Sequence, residues 1–235
     1  LGTVVATAFS LSLVPYIILS KDKEEAVKEK ISLSIRVSIG VGAGAAVGLA
    51  WLIKPVNVML FSNENGYHVL LVLGLSILFC SIALTAAAIL QGLGNPYLPA
   101  LFVGIGIGFK YLLNVLLIPV HSTMGAAVST LVAFSSVAVM MVLALKKKTG
   151  TSIFERMPTV PLLVSIGMMS AVLAVYLLLT DALIGDSRTL ATFQSIVGVV
   201  IGGLTYLLIL IKNHFFTKEE LMLLPLGKKL VKLLK

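Results

Sequence analysis

Seven stretches of the chain are apolar on every face of a helix: residues 1–20, 31–53, 67–90, 97–119, 123–145, 159–180 and 191–212. A hydrocarbon core about 30 Å thick takes about 20 residues of α-helix to cross, and each stretch meets that length. Polar residues gather in the short segments between them. A membrane β-barrel does not fit, because its strands are about 10 residues long and apolar only at every second position. The pattern predicts an all-α, polytopic transmembrane helix bundle of seven spans.

Composition agrees and narrows the classes. Of 235 residues, 58% are hydrophobic and 12% charged, and the mean hydropathy is +1.07. One soluble core of this size cannot hide so much apolar surface. A soluble enzyme, a disordered tail and a disulfide-rich secreted module are excluded. The net charge of +8 would raise nucleic-acid binding in a soluble protein. In a membrane protein it reads as topology, since Lys and Arg collect on the cytoplasmic side. Thirteen basic residues fall on one side: Lys21, Lys23, Lys28, Lys30, Lys146, Lys147, Lys148, Arg156, Lys218, Lys228, Lys229, Lys232 and Lys235. Only Lys54 and Arg188 fall on the other. The expected topology is a cytoplasmic C-terminus in the cell membrane, with residue 1 near the outer face. The chain starts at Leu1 without a basic leader, so the expectation is a piece of a longer protein and no signal peptide.

The connecting segments carry their own signals. KDKEEAVKEK, before the second span, reads either as a short surface helix or as a solvated loop. QGLGNP, residues 91–96, predicts a tight turn punctuated by Gly92, Gly94 and Pro96. Pro119–Ser122 predicts another, so spans three to five form a compact hairpin series. In the tail, Thr217 and Glu220 make a capping box. Lys228, Lys229, Lys232 and Lys235 then oppose Leu226, Leu230, Leu233 and Leu234, a basic amphipathic helix suited to the anionic inner leaflet.

Polar residues inside a membrane are costly and therefore informative. No Asp or Glu falls within the seven spans; Glu64, Glu155, Asp181 and Asp186 read as loop residues. There is no nucleophile elbow, zinc motif or phosphate loop, and Cys80 is the sole cysteine, so no enzyme chemistry, metal or cofactor is expected. Gly40, Gly44 and Gly48, and the run Gly104, Gly106 and Gly108, read as packing positions. Lys110 is the exception. It lies midway along the fourth span, and Gly106, Lys110 and Asn114 recur every four residues on one face. Two readings stand: an ammonium that contacts an anionic substrate or replaces a coupling cation, or a structural hydrogen bond to Asn114 or to backbone carbonyls. Arg36 is a cavity-lining candidate that also reaches the headgroups. Pro15, inside the first span, is either a hinge or a static kink. His68 and His121 read as solvated at the outer interface.

The segment LQGLGNPYLPALFVGIGIGFKYLLNVLLIPVHSTMGAAVST, residues 90–130, resembles the polysaccharide and lipid-linked oligosaccharide flippases of the multidrug/oligosaccharidyl-lipid/polysaccharide exporter superfamily. The order is a QGLG turn, Lys-xxx-Asn, Ile-Pro, then GAAVST. TAFSLSLVPYIILSKDKEEAVKEKISLSIR and the tail TKEELMLLPLGKKLVKLL resemble the corresponding parts of the Gram-positive branch, the stage V sporulation protein B-like and lipid II flippase-like proteins. The resemblance implies spans eight to fourteen of a 14-helix flippase: residues 1–145 in the C-terminal lobe, 146–212 as two additional transmembrane helices and 213–235 as the cytoplasmic tail. The partners it implies are the absent N-terminal lobe and a lipid-linked (undecaprenyl-diphosphate type) sugar or peptidoglycan precursor, moved by alternating access. Substrate or coupling candidates are Lys110, Asn114, Thr130 and Arg36, with Lys21 at the cytoplasmic gate and Pro15 as hinge. Some relatives bind sodium at positions matching Lys110, Asn114, Ala126 and Thr130; a lysine there places an ammonium where the ion would sit. The alternative within the superfamily is a multidrug/cation antiporter, which the absence of intramembrane carboxylates disfavours.

Overall fold

The computed structural model describes residues 24–61, 66–150, 157–183, 188–213 and 215–216. These form five α-helices: α1 (Glu24–Phe61), α2 (Tyr67–Gly92), α3 (Tyr97–Thr149), α4 (Thr159–Leu183) and α5 (Arg188–Lys212). All five are long and apolar enough to cross a membrane. The expected first span, with Pro15 and Lys21, and the basic tail lie outside the described residues, and the count of seven spans is not shown. Described positions 24–46 and 68–157 form one compact unit; 47–67 and 158–216 form a second.

Helix α1 is longer than the apolar run that predicts it. Of the charged segment before the second span, residues 24–30 are continuous with the helix, not a separate surface helix or a loop. At its other end it runs through Lys54 and Pro55, where a stop was expected at Ile53. Proline removes one hydrogen bond, here the one to the Trp51 carbonyl. Packing holds the turns that follow, for Asn57 is 1% exposed. The Arg188 Nε donates to the Met59 carbonyl at 3.2 Å, covering a group that helix ends leave without an internal partner. A cation there also suits the negative end of the helix dipole.

In the first unit α1, α2 and the end of α3 share one core. Ile31 and Ile35 pack with Ala83, Ala86, Ile89 and Leu90 and with Val137, Ala138, Met141 and Leu145. Lipid offers no hydrophobic drive between helices, so close packing and interhelical hydrogen bonds hold such contacts. Helix α1 approaches α2 closely at Gly42, where a Cβ would lie 2.3 Å from the Ser81 Oγ and 3.1 Å from the Leu78 Cα. The Ser81 hydroxyl bridges the Ser38 carbonyl (3.2 Å) and its own Leu78 carbonyl (2.8 Å). Gly48, from the expected ladder, has only an ordinary contact with the Met169 Sδ at 3.9 Å.

Helix α3 has 53 residues, about 80 Å if straight, more than twice the core of a bilayer. It is a hairpin instead. Ser122 leaves the helix with φ 49° and ψ −130°, dividing the element into arms 97–121 and 123–149. The contacts between the arms are symmetric about this bend. Lys148 meets Asn95, Gly106 meets Val137, Asn114 meets Ser129, and Gly125 lies against Ile118. Each pair is centred on the His121–Ser122 bond. The expected turn at Pro119–Ser122 is thus present, and each arm exceeds the about 20 residues that a crossing needs.

The Ser122 backbone sits where side chains are strained by about 1–3 kcal/mol. Ser122→Gly should therefore raise stability, by about 1 kcal/mol after the added freedom of the unfolded chain is subtracted. Thermal unfolding in detergent checks this; a lower midpoint for the glycine variant would contradict the bend geometry.

In the second unit α4 packs on α5 through small residues. A Cβ at Gly198 would lie 2.6 Å from the Leu52 Cδ2 and 3.2 Å from the Tyr176 Cε1. One at Gly202 would lie 3.1 Å from the Leu173 Cδ1. Gly198 and Gly202 are four residues apart on the buried face of α5, a small-xxx-small contact. Gln194 clasps the same pair of helices, its Nε2 donating to the Thr180 Oγ1 (2.7 Å) and the Asp181 Oδ1 (2.9 Å). Asp181 belongs to the last turn of α4, not to a loop. The Gln194 bond and the continued apolar register carry the helix past it. The Lys54 Nζ lies 5.7 Å from the centre of the Tyr67 ring, a cation–π contact.

Candidate functional site

The α3 hairpin brings together most of the polar residues singled out in the membrane-spanning sequence. Glycine makes the seam. At Gly106 a Cβ would be 2.3 Å from the Val137 Cγ2, and at Gly125 it would be 2.5 Å from the Leu117 carbonyl oxygen. Of the three glycines in the first arm only Gly106 serves packing; Gly104 and Gly108 face open space.

Along this seam the Ser129 hydroxyl donates to the Asn114 Oδ1 across the hairpin, while lying 3.0 Å from the Ala126 carbonyl. Asn114 is half-buried and Ser129 fully buried. Thr130 is half-buried, and its Oγ1 donates back to the Ala126 carbonyl at 2.8 Å. Of the expected set of Lys110, Asn114, Ala126 and Thr130, the first two lie on one arm and the last two on the other, and the residue that partners Asn114 across the hairpin is Ser129. Only the hairpin's symmetry about Ser122 singles out Ser129, and apolar periodicity carries no such signal.

Lys110 lies one turn before Asn114 and is exposed. Its neighbours Ile107, Tyr111 and Leu112 are also exposed, at 64%, 72% and 56%. Among the described residues its ammonium has no ion-pair or hydrogen-bond partner, and the structural bond to Asn114 is not made. Residues i and i+4 of a helix are neighbours on its surface. The Asn114 oxygen accepts from Ser129 with one of its two lone pairs, and its NH2 group carries two further donors. Lys110 and Asn114 therefore offer up to five N–H donors on one face, three from the ammonium and two from the amide. Such a face suits an anion and is unsuited to a metal cation. No group of three or more His, Cys, Asp or Glu that could hold a metal occurs among the described residues.

Arg36 is half-buried on α1, in the first unit, between the buried Ser34 and Ser38. His121 is exposed at the bend, and His68 is exposed in the first turn of α2. Lys28, Lys30, Lys146, Lys147 and Lys148 sit at the same end of the first unit, the end where α1 begins and α3 closes.

The fold and composition define a multi-span α-helical membrane protein. No family model matches the chain. It is similar to the uncharacterized membrane protein YabM of Bacillus subtilis (strain 168), with 40% identity over 238 aligned positions that take in all of this chain. The chain spans 44% of that relative's length.

Proposed function

We propose that the chain is the C-terminal part of an alternating-access flippase that carries a lipid-linked, undecaprenyl-diphosphate type sugar or peptidoglycan precursor across the cell membrane. The supporting observation is the donor-rich, cationic face of Lys110 and Asn114 within an apolar arm. A diphosphate headgroup is doubly anionic and rich in acceptor oxygens, which a lysine ammonium and an amide NH2 can bind in a site poor in water. The lipid tail stays in the bilayer, so an exposed flank on the hairpin is a suitable place to meet the headgroup. Lys110 takes the place of a coupling cation, and no sodium site is assigned to Asn114, Ala126 and Thr130.

In this reading the two arms of α3 are separate crossings, and residues 1–20 add a further one, giving seven of fourteen. The lysine bias along the sequence supports a cytoplasmic C-terminus in this reading. The test is translocation of lipid II or a lipid-linked oligosaccharide by the full-length protein in proteoliposomes. Lys110→Ala is expected to reduce the rate about 10–100-fold, the worth of one charge-assisted contact of about 1.5–3 kcal/mol. Equal rates for the variant and the parent would remove Lys110 from the pathway.

A further inference from the structure

A second feature of the α3 hairpin lies away from Lys110. The second arm ends in Lys146, Lys147 and Lys148, all exposed, followed by Gly150 in the left-handed conformation with φ 64°. The three are not equivalent. The Lys148 Nζ donates to the Asn95 Oδ1 and ties the helix end to the turn between α2 and α3. Lys146 and Lys147 have no such bond among the described residues. The same arm carries an exposed apolar stripe that leads to them. Val132, Val139 and Leu143 are 40%, 54% and 59% exposed, and their spacing places them on one helical face with Lys147. From Val132 to Lys147 the stripe covers about 22 Å of helix, more than the depth of one leaflet, about 15 Å.

We propose that this stripe and its two lysines form a binding site for an anionic phospholipid. An acyl chain lies along Val132, Val139 and Leu143, and the headgroup phosphate meets Lys146 and Lys147 at the membrane boundary. Charge complementarity commits the site to an anionic lipid. The stripe ends in two cations, and Lys28 and Lys30 lie at the same end of the unit; with Lys148 these five lysines outnumber the three carboxylates of the first turns of α1, Glu24, Glu25 and Glu29. The helix C-terminus adds no attraction for an anion, so the lysines and the acyl contact carry the binding. This site uses neither Lys110 nor the substrate face and stands or falls separately from the flippase reading.

The experiment measures the thermal unfolding midpoint of the full-length protein in detergent with added phosphatidylglycerol or phosphatidylcholine, and counts bound lipid by native mass spectrometry. Phosphatidylglycerol is expected to raise the midpoint above the phosphatidylcholine value, and the increment is expected to shrink with salt. Lys146→Ala with Lys147→Ala, keeping Lys148 on Asn95, should weaken phosphatidylglycerol binding about 30-fold, at about 5-fold per lysine. Lys146→Glu with Lys147→Glu should abolish it, and both pairs change surface positions that the fold does not bury. An unchanged increment in either double variant would overturn the proposal, as would equal effects of the two lipids. Stabilisation by glycerol phosphate alone to the same extent would overturn the lipid assignment.

Discussion

Gly125→Ala is expected to lower the thermal unfolding midpoint by about 6–12 °C, the shift that about 3 kcal/mol produces in a chain of this size. The reason lies in what a Cβ would meet. At Gly125 the neighbours are the Leu117 carbonyl oxygen at 2.5 Å, the Leu117 carbonyl carbon at 2.6 Å and the Ile118 nitrogen at 3.0 Å. All three are backbone atoms of the opposing arm, so no rotamer change relieves the clash. Overpacking of a tight contact costs about 1–3 kcal/mol when side chains can adjust, and here they cannot. The arms must separate near the bend, which also pulls Ser129 from Asn114. Gly104→Ala in the first arm is the matched comparison. It meets open space, and alanine is favoured over glycine in a helix by about 1 kcal/mol, so its midpoint should rise slightly or stay level. Equal midpoints for Gly125→Ala and the parent protein would show that the arms do not meet there.

Hydropathy makes the spans legible because a bilayer sets one length scale and one polarity. It does not resolve where a long helix stops. Lys54 and Pro55 read as the end of a span, yet α1 continues to Phe61 because Asn57 is buried and Arg188 covers the Met59 carbonyl. Both causes come from residues distant in sequence. Asp181 fails as a loop marker for the same reason: its carboxylate is held by Gln194 from the next helix. The turns were more accessible, since QGLGNP and the stretch from Pro119 to Ser122 carry their own backbone chemistry. In the first, the Asn95 N–H closes on the Leu90 carbonyl at 3.0 Å, with Gly94 at φ 79°.

Glycine patterns identified helices that pack but, apart from Gly106, not the residues at the contact. Gly42 lies between members of the expected ladder, at a different angle around α1, and which angle faces α2 depends on Ser81. Gly198 and Gly202 show the four-residue spacing one turn after Gln194 and Ser195, but spacing alone does not reveal that Leu52, Tyr176 and Leu173 meet them. The site was legible in Lys110 and Asn114, because polar residues stand out in an apolar arm. Ser129 was hidden among serines and threonines that bond their own helix, as Thr130, Ser135 and Ser136 do. Only the register of the hairpin separates it from them.

That register also decides what Lys110 does, and Lys110→Met is expected to separate stability from activity. A lysine near the centre of a span costs about 2.5–3.5 kcal/mol on insertion scales. Among the described residues nothing in the fold offsets this: Lys110 is exposed and Asn114 bonds to Ser129 instead. Methionine keeps the length and helix propensity and removes the charge. The variant should unfold at the same temperature as the parent or higher, while translocation falls about 10–100-fold. Lys110→Arg keeps a donor-only cation and should retain more activity than Lys110→Met. Asn114→Ala should behave differently from both. It deletes an interhelical hydrogen bond worth about 0.6 kcal/mol and leaves the Ser129 hydroxyl on the Ala126 carbonyl, so stability falls slightly together with activity. If Lys110 were a structural residue, Lys110→Met would lower the unfolding midpoint and activity in parallel. Measuring both quantities on the same reconstituted preparations therefore distinguishes an ammonium kept for its substrate from one kept for the fold.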